Sequence, residues 1–205
     1  MAISLTKGQK INLKKDNGAA LSKLMIGLGW DPVEQSSGGG GGFFSSLFSS
    51  APDNIDCDAF VIMCKGGMLT DWDADCVYFG NTEHKTGAVQ HMGDNLTGDG
   101  DGDDEQIMVN LDRVPADYDK LIFAVNIYKC TDRKQHFGMI ANAFIRIVDQ
   151  ATGQEFCKYN LSEKYDGMTA MIFGEVYRYK GEWKFNAIGQ GTKDTSVSEV
   201  MKRFI

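Results

Sequence analysis

Several features that would place this 205-residue chain in a common class are missing from its sequence. No apolar stretch approaches the roughly 20 residues that a membrane-spanning helix needs. The N-terminal stretch MAISLTKGQKINLKK has no apolar core followed by a small-residue cleavage site, so it predicts no signal peptide. We therefore expect a cytoplasmic protein with no membrane insertion.

Cysteine and histidine are too scattered to predict a transition-metal site. The 5 cysteines include no pair with the tight spacing of a zinc knuckle. The 3 histidines include no pair with ligand spacing such as His-x-x-x-His. We expect the cysteines to be buried, reduced thiols.

Positive charge is also scarce, because 21 Lys and Arg residues face 28 Asp and Glu residues, which gives a net charge of −7. Such a chain repels nucleic acid backbones and anionic membrane surfaces. We therefore expect neither nucleic acid nor an anionic membrane as a direct partner. Cations, or proteins with basic faces, are the expected partners.

Short apolar and β-branched runs recur along the chain, separated by glycine or acidic residues. Many short strands with turn signals between them are typical of a β-sandwich. We predict strands at Ile3–Leu5, Lys10–Leu13, Lys23–Leu28, Ala59–Cys64, Cys76–Phe79, Gln106–Leu111, Lys120–Tyr128, Asn142–Asp149, Glu155–Asn160, Thr169–Tyr179 and Glu182–Gly189. The predicted fold class is all-β, an antiparallel β-sandwich formed by one domain over residues 1–205.

A helix is predicted only at the C-terminal end of the chain. Ser196-Val-Ser-Glu199 has the pattern of a capping box, with Ser196 as N-cap and Glu199 at the third helical position. An apolar stripe follows at Val197, Val200, Met201 and Phe204. We expect this short helix to pack on an edge or an end of the sandwich.

The stretch QSSGGGGGFFSSLFSSAP at residues 35–52 interrupts the strand pattern. Five consecutive glycines have high backbone entropy and no side chains to anchor them. The favoured interpretation of this Gly/Ser/Phe-rich insertion is a flexible surface loop whose aromatic residues fold back loosely. The alternative is a contact segment for another protein or for a second copy of the chain, since Phe43, Phe44, Leu47 and Phe48 are apolar.

The segment from Gly93 to Glu105 carries six acidic residues, and no Lys or Arg occurs between Lys85 and Arg113. Carboxylates packed this closely repel one another unless a counter-ion is present. Calcium binds about six to eight oxygen ligands, which alternating Asp and Gly residues can supply because glycine permits a tightly curled backbone. The segment therefore predicts a calcium site, with Mg²⁺ a poorer fit.

The spacing excludes an EF-hand, because a loop that starts at Asp99 has Asp104 where glycine is needed and Asn110 where glutamate is needed. Loops cluster at one end of a sandwich, so Asp56 and Asp58, which precede a predicted strand, are expected to join the site. A solvated turn is the favoured interpretation of a second acidic group at Asp71, Asp73 and Asp75.

Several stretches together resemble the TerD-type tellurite-resistance and stress-response domain over nearly the whole chain. They are SLTKG at residues 4–8, GLGWD at 27–31, DCDA at 56–59, GDNLTG at 93–98, GDGDDE at 100–105, NAFIR at 142–146, GEVYR at 174–178 and WKF at 183–185. The insertion is longer than the family pattern, and Asp99 stands where glutamate is expected.

The resemblance implies a bacterial cytoplasmic β-sandwich that binds two calcium ions in adjacent acidic loops. It also implies a role in resistance to tellurite, phage, colicins and chemical stress, and assembly near a membrane protein at the inner face of the membrane. Carried over by motif, the candidate metal-site residues are Asp31, Asp56, Asp58, Asp94, Asn95, Asp99, Asp101, Asp103, Asp104 and Glu105.

The favoured function is a calcium-binding stress-response module that acts through protein partners, without catalysis. Those partners include a membrane protein, other family members, and a second copy bound through the Phe-rich insertion.

One alternative is a metal-dependent hydrolase or phosphoryl-transfer enzyme. Against this alternative, we find no Walker-type loop, no nucleophile–base pattern and no basic cluster near the acidic segment. Another is a structural protein that calcium rigidifies for assembly. Direct capture of tellurite, an oxyanion, is disfavoured by the negative charge of the predicted site.

Overall fold

The computed structural model describes residues 2–32, 55–93, 102–161 and 163–205, so the predicted insertion at residues 35–52 lies outside the described part of the chain. Two six-stranded sheets form the part of the molecule that these ranges cover. From the first to the last, β1 to β12 are Ile3–Leu5, Lys10–Asn12, Lys23–Pro32, Cys57–Cys64, Cys76–Val77, Val89–His91, Glu105–Asn110, Lys120–Ile127, Ile140–Asp149, Gln154–Asn160, Ala170–Tyr179 and Glu182–Thr192.

The first sheet, sheet A, has the strand order β1-β10-β9-β3-β7-β6, and the second, sheet B, has the order β2-β12-β11-β8-β4-β5. The predicted β-sandwich is confirmed. It is not wholly antiparallel, because β1 pairs with β10 in parallel. These two strands are far apart in sequence, so no hairpin imposes an antiparallel direction on them.

Strand β6, Val89–His91, was absent from the sequence prediction. It has three residues, too few for an alternating pattern to be recognised. Its position at the edge of sheet A is set by pairing with β7, where Val89 opposes Val109 and His91 opposes Ile107.

Side chains of β4 are covered on both faces of sheet B. Cys57, Ala59 and Val61 belong to the core between the two sheets. Phe60 and Ile62 belong to a second apolar cluster, because successive side chains in a strand point to opposite faces. The second cluster therefore lies on the outer face of sheet B.

The predicted C-terminal helix is confirmed as α2, Val197–Met201. Its Val200 and Met201 are buried in the second cluster with Phe60 and Ile122. The helix therefore packs on the outer face of sheet B rather than on an edge or an end, which corrects the sequence prediction. The reason is that β4, β8 and β11 carry apolar residues on both faces of sheet B. The apolar side chains on the outer face are removed from water when the helix packs over them.

The cap of α2 forms largely as the capping pattern predicts. The Ser196 hydroxyl accepts a hydrogen bond from the backbone N–H of Glu199 at 3.3 Å. The Glu199 carboxylate accepts from the backbone N–H of Thr195 at 2.6 Å rather than from that of Ser196. The reciprocal bond is thus displaced by one residue.

A further α-helix in the described part of the chain, α1 at Cys130–Arg133, was not predicted. Short 3-10 helices lie at Leu111–Arg113, Phe137–Met139 and Lys202–Phe204. Helix α1 has four residues, which is too short for a helical periodicity. Lys129 before it and Lys134 after it both adopt the left-handed conformation, with φ values of 50° and 54°. This conformation is uncommon for non-glycine residues.

All five cysteines are buried and none forms a disulfide, as predicted. Burial raises the pKa of the thiols of Cys64, Cys76 and Cys157 well above the usual value. These cysteines are neutral, apolar members of the packing at ordinary pH. In the described part of the chain, no helix has the length and apolar character needed to cross a membrane.

Candidate metal centre at the acidic end

Strand directions bring separate acidic segments to one end of the sandwich. Cys57 at the start of β4 pairs with Ile127 at the end of β8. Glu105 at the start of β7 pairs with Leu28 near the end of β3. The end where β4 and β7 begin and β3 ends is called the acidic end here, because it receives carboxylates from both sheets.

Gly93 and Gly102 are the described residues that flank the central part of the acidic segment, and both have positive φ, of 116° and 131°. Asp94, Asn95, Asp99 and Asp101 lie between them, outside the described residues. Their assignment to a metal site therefore stays a prediction.

Four of the predicted site residues raise the pKa of one buried thiol, that of Cys57. The pKa of Cys57 is raised, first by burial and then by the negative charges of Asp58, Asp56, Asp104 and Glu105. Asp56 and Asp58 come from sheet B, while Asp104 and Glu105 come from sheet A. The structure thus places acidic groups that are far apart in sequence at the same end of the sandwich.

Asp103 lies in an ion pair on the outer face of sheet A. Its two carboxylate oxygens accept from Nε and Nη2 of Arg146 at 2.7 and 2.9 Å, and its side chain is fully buried. Gln106 donates a further bond at 3.2 Å. Arg146 also lies 3.4 Å from Glu155, and its pKa is raised mainly by the bond to Asp103. This two-point contact fixes the end of the acidic segment against the sheet.

The glycines of the Gly27-Leu28-Gly29 motif are required by close approach. A Cβ at Gly27 would overlap the carboxylate of Asp103. A Cβ at Gly29 would lie 2.5 Å from the ring of Phe144 and 2.6 Å from the backbone oxygen of Gly102. Glycine at both positions therefore lets the acidic segment rest directly on β3.

Asp104 and Asp31 are held by backbone and amide groups. The Asp104 carboxylate accepts from the backbone N–H of Trp30 at 2.7 Å. The exposed Asp31 accepts from the side-chain amide of Asn142 at 2.9 Å. An open cavity of about 520 Å³ borders this corner and is lined in part by Trp30, Asp31, Asn142 and Lys158.

Glu105 is buried against His91, with 2.9 Å between Oε2 and Nε2. The same Nε2 atom lies 3.1 Å from the backbone oxygen of Ala59. Nδ1 of His91 accepts from the backbone N–H of Gly93 at 3.2 Å. The proton of a neutral ring therefore lies on Nε2, where it faces both oxygens.

One basic side chain that sequence analysis did not identify, that of Arg133 in α1, lies beside the acidic end. Nη1 of Arg133 is 3.7 Å from the Asp56 carboxylate. The backbone N–H of Tyr128 donates to the backbone oxygen of Asp56 at 2.8 Å. The α1 segment is distant in sequence from the acidic loop, so only the fold reveals this neighbour.

Asn126 is a candidate site residue that sequence analysis did not identify. It pairs with Asp58 across β8 and β4, so the two side chains share the outer face of sheet B. It is 3% exposed, and its Oδ1 atom has no hydrogen-bond partner in the described part of the chain. The available signal was a lone polar residue within the apolar run LIFAVNI at residues 121–127.

The second acidic group lies away from this end. The backbone oxygen of Asp75 accepts a hydrogen bond from the backbone N–H of Met63. Met63 is five residues after Asp58 in β4, which corresponds to roughly 16 Å along the strand. Asp73 is exposed, as a solvated turn predicts, but Asp75 is fully buried. The solvated interpretation was therefore wrong for Asp75.

The donor chemistry at the acidic end is mainly oxygen, from carboxylates and an amide, which suits a hard cation such as calcium. The described residues at this end that carry such oxygens include Asp56, Asp58, Asn126, Asp31 and Asp104. Among the residues that the structure describes, no three His, Cys, Asp or Glu side chains already form a metal-binding group. A site built from these residues would therefore need ligands from elsewhere as well.

Comparison with family models gives the relationship of the chain to known proteins. The model of the TerD domain matches residues 1–204. The chain belongs to the TerD family. This confirms the family that the sequence motifs predicted.

Similar proteins cover almost the full length of this TerD-family chain. The stress response protein SCP2 of Bacillus subtilis (strain 168) is 57% identical over 205 residues, which is 100% of both chains. The tellurium resistance protein TerD of Serratia marcescens is 40% identical over 191 residues, 93% of this chain and 91% of that protein.

The fold also matches a solved structure. The crystal structure of a homologue of the telluride resistance protein (TerD) from Streptomyces coelicolor A3(2) superposes with a TM-score of 0.66. That match covers 91% of this chain and 99% of the other at 18% sequence identity. At this identity the likeness concerns the fold alone.

Proposed function

We propose that this TerD-family protein is a calcium-binding stress-response module that acts in the cytoplasm through protein partners and has no catalytic activity. The observation that supports the calcium proposal is the strand register, which brings Asp56 and Asp58 at the start of β4 and Asp104 and Glu105 at the start of β7 to the same end of the sandwich. All four carboxylates contribute to the raised pKa of Cys57. Carboxylates gathered at one end of a fold repel one another, and a bound cation reduces this repulsion.

The stress-response part of the proposal is supported by the relatives. Proteins named for stress response and for tellurium resistance align along nearly the whole chain. Because the proposed site is strongly acidic, we propose that any contribution to tellurite resistance is indirect. A partner, including a membrane protein at the inner face of the membrane or another family member, would then receive the calcium-bound form.

The ligand set proposed for calcium combines the described residues with the acidic segment. Asp58 and Asn126 share one face of sheet B, and Asp31 and Asp104 lie near the end of β3. Asp94, Asn95, Asp99 and Asp101 are predicted to complete the sites. Asp103 is proposed to hold the acidic segment in place and not to bind calcium, since both of its carboxylate oxygens already accept hydrogen bonds from Arg146.

Calorimetric titration of chelator-stripped protein with Ca²⁺ tests the proposal. We expect binding at more than one site and a higher melting temperature, because a ligand that binds only the folded state stabilises it. Asp31→Asn should weaken binding about tenfold through loss of a charged ligand. Asp73→Asn, which also removes an exposed carboxylate but away from the acidic end, is the control and should change nothing.

The absence of heat and of a thermal shift at millimolar Ca²⁺ would contradict the calcium proposal. The proposal of no catalysis is tested separately, by incubating the calcium-loaded protein with generic phosphoester and nucleotide substrates. Turnover that Asp58→Asn abolishes would favour a metal-dependent hydrolase or phosphoryl-transfer enzyme instead.

A further inference from the structure

Exposed apolar side chains surround the acidic end. Met92 directly follows β6, Tyr128 directly follows β8, and Met139 directly precedes β9. Their exposed fractions are 52%, 39% and 36%. Apolar surface of this kind around a charged site is typical of a surface that another body covers.

The three side chains are too widely spaced for a narrow partner. In sheet A, β7 and β3 separate β6 from β9, which is roughly 14 Å across the strands. His91 lies level with Ile26 whereas Ile140 pairs with Pro32, so Met139 is also roughly 20 Å farther along the strands than Met92. Tyr128 belongs to sheet B, which lies about 10 Å away across the core. A single strand or helix of a partner could not cover all three points, whereas a broad surface such as a bilayer can contact them together when the strands are tilted against it.

Cationic groups lie next to Tyr128 on the same rim. Nζ of Lys129 is 5.2 Å from the centroid of the Tyr128 ring, and the Arg133 guanidinium is 5.6 Å from it. Lys134 follows α1 and is exposed. An exposed tyrosine flanked by cations suits the boundary between lipid headgroups and acyl chains, where one part of the ring is apolar and the hydroxyl stays wet.

We propose that the acidic end docks on an anionic lipid surface when calcium is bound. Bound calcium would offset the carboxylate charge that otherwise repels such a surface. Lys129 and Lys134 would contact the headgroups, and Met92, Tyr128 and Met139 would enter the interface without spanning the bilayer. This inference rests on the proposed calcium binding. It also revises the expectation drawn from net charge, because net charge does not describe how charge is distributed.

Vesicle flotation with the full chain tests the inference. The probes are vesicles of phosphatidylcholine alone and of phosphatidylcholine mixed with phosphatidylglycerol, each with Ca²⁺ or with a chelator. We expect flotation only with the anionic vesicles and Ca²⁺. The double variant Lys129→Asn/Lys134→Asn removes two cations and should lower vesicle affinity about 30-fold. This figure follows because each lysine near an anionic surface contributes about 1 kcal/mol and each 1.4 kcal/mol corresponds to about a tenfold change in affinity. Asparagine tolerates the left-handed conformation at both positions.

The far end of the sandwich offers a closely matched control. Tyr179 is 48% exposed and is flanked by Lys180 and Lys184, at 5.4 and 4.7 Å from its ring centroid. Lys180→Asn/Lys184→Asn removes the same charge, and Lys180 is also left-handed, with φ of 52°. This variant should bind vesicles as the parent chain does.

Two methionines with the same exposed fraction test the apolar contribution to vesicle binding. Met92 and Met68 are both 52% exposed, and Met68 lies beyond the end of β4, away from the acidic end. Met92→Ser should weaken vesicle binding roughly fivefold through loss of buried apolar area. Met68→Ser should have no effect.

Three results would overturn the docking inference: equal loss in the two lysine double variants, flotation that persists in chelator, or no flotation of protein that calorimetry shows to bind calcium. The last result would leave the calcium proposal standing, whereas the absence of calorimetric binding would remove both. Polyglutamate serves as a probe for the other class of partner, an acidic protein. If it binds the calcium-loaded protein and the vesicles do not, an acidic protein rather than lipid covers this end.

Discussion

A buried carboxylate meets a histidine at each end of the sandwich. At the acidic end, Glu105 lies 2.9 Å from Nε2 of His91, and both side chains are 1% exposed. At the far end, Asp75 lies 3.3 Å from Nε2 of His84, and both side chains are fully buried. The two pairs have the same chemistry, so their surroundings decide what each can do.

The surroundings of Asp75 form a closed set of donors. Its carboxylate accepts from the hydroxyl of Tyr118 at 2.6 Å, from the hydroxyl of Thr70 at 3.2 Å and from the backbone N–H of Asp71 at 3.2 Å. Nδ1 of His84 is in turn 2.7 Å from the hydroxyl of Thr86. A buried charge satisfied in this way joins loops together and has no need of an external ion.

Glu105 instead lies near the carboxylates that begin two strands. Asp58, Asp56 and Asp104 contribute with it to the raised pKa of Cys57, and Arg133 lies 3.7 Å from Asp56. The comparison teaches that burial of a carboxylate beside a histidine does not mark a functional site. The two ends differ in the residues that gather there, which are hydroxyl and backbone donors around Asp75 and the carboxylates at the starts of β4 and β7 near Glu105.

Removal of the Asp75 carboxylate should give the largest effect on stability. Asp75→Ala leaves Tyr118 and His84 buried without their acceptor, and we expect a loss of about 3–5 kcal/mol in the free energy of unfolding. Urea unfolding measures it. Calcium affinity should stay unchanged, and a change in affinity with little loss of stability would reverse the roles assigned to the two ends.

Breaking the ion pair beside the acidic segment should cost somewhat less. Arg146→Met leaves the buried carboxylate of Asp103 without its main partner, with an expected loss of about 2–3 kcal/mol, since Arg146 itself is 29% exposed. Lys158→Met is the control, because Nζ of Lys158 contacts the Phe144 ring at 3.6 Å and its removal leaves no buried charge unpaired. It should cost about 0.5 kcal/mol. Equal losses would show that Asp103 is not held by Arg146.

Acid should weaken a far-end ion pair in a defined pH window. The pKa of Asp149 is lowered, mainly by Lys15, whose Nζ lies 2.7 Å from the carboxylate. A lowered pKa stabilises the fold above the unfolded value of about 3.9, and this stabilisation is lost as pH falls below it. Asp149→Asn should therefore cost about 1 kcal/mol near neutral pH and nothing near about pH 2, as urea unfolding at each pH would reveal. A cost that is the same at both pH values would contradict this assignment.

The smallest effect on stability is expected at Asn126. Asn126→Leu removes an acceptor that has no partner in the described structure, so the calcium-free protein should change by less than about 0.5 kcal/mol or become more stable. Calcium affinity should fall about tenfold, because an oxygen next to Asp58 is lost. An unchanged affinity in calorimetry would remove Asn126 from the proposed site.

Much of the fold could be predicted because each long strand carries its own pattern. The runs at Lys120–Ile127 and Ala170–Tyr179 are apolar on both faces and were placed within one residue of their observed bounds. Strand β6 and helix α1 were missed since three or four residues carry no period. Their conformations follow from neighbours in space rather than from local preference.

The candidate site was predictable only in part for the same reason. The spacing of Asp and Gly indicates an oxygen-ligand site, and this requires no knowledge of the fold. The pairing of Asp103 with Arg146 and the approach of Arg133 to Asp56 join segments far apart in sequence, so no local pattern contains them. Asp75 was misjudged because its donors come from separate loops.

By itself the sequence determined that this chain is a β-sandwich of the TerD family with a dense acidic segment, because alternation and residue spacing are local properties. The tertiary structure alone decided which carboxylates meet at the acidic end, which are neutralised by arginine or by a closed set of donors, and which polar groups share a face with them. Charge interactions act through space, so their sign and strength at Asp58, Asp75 and Asp103 depend on strand register and not on position in the chain.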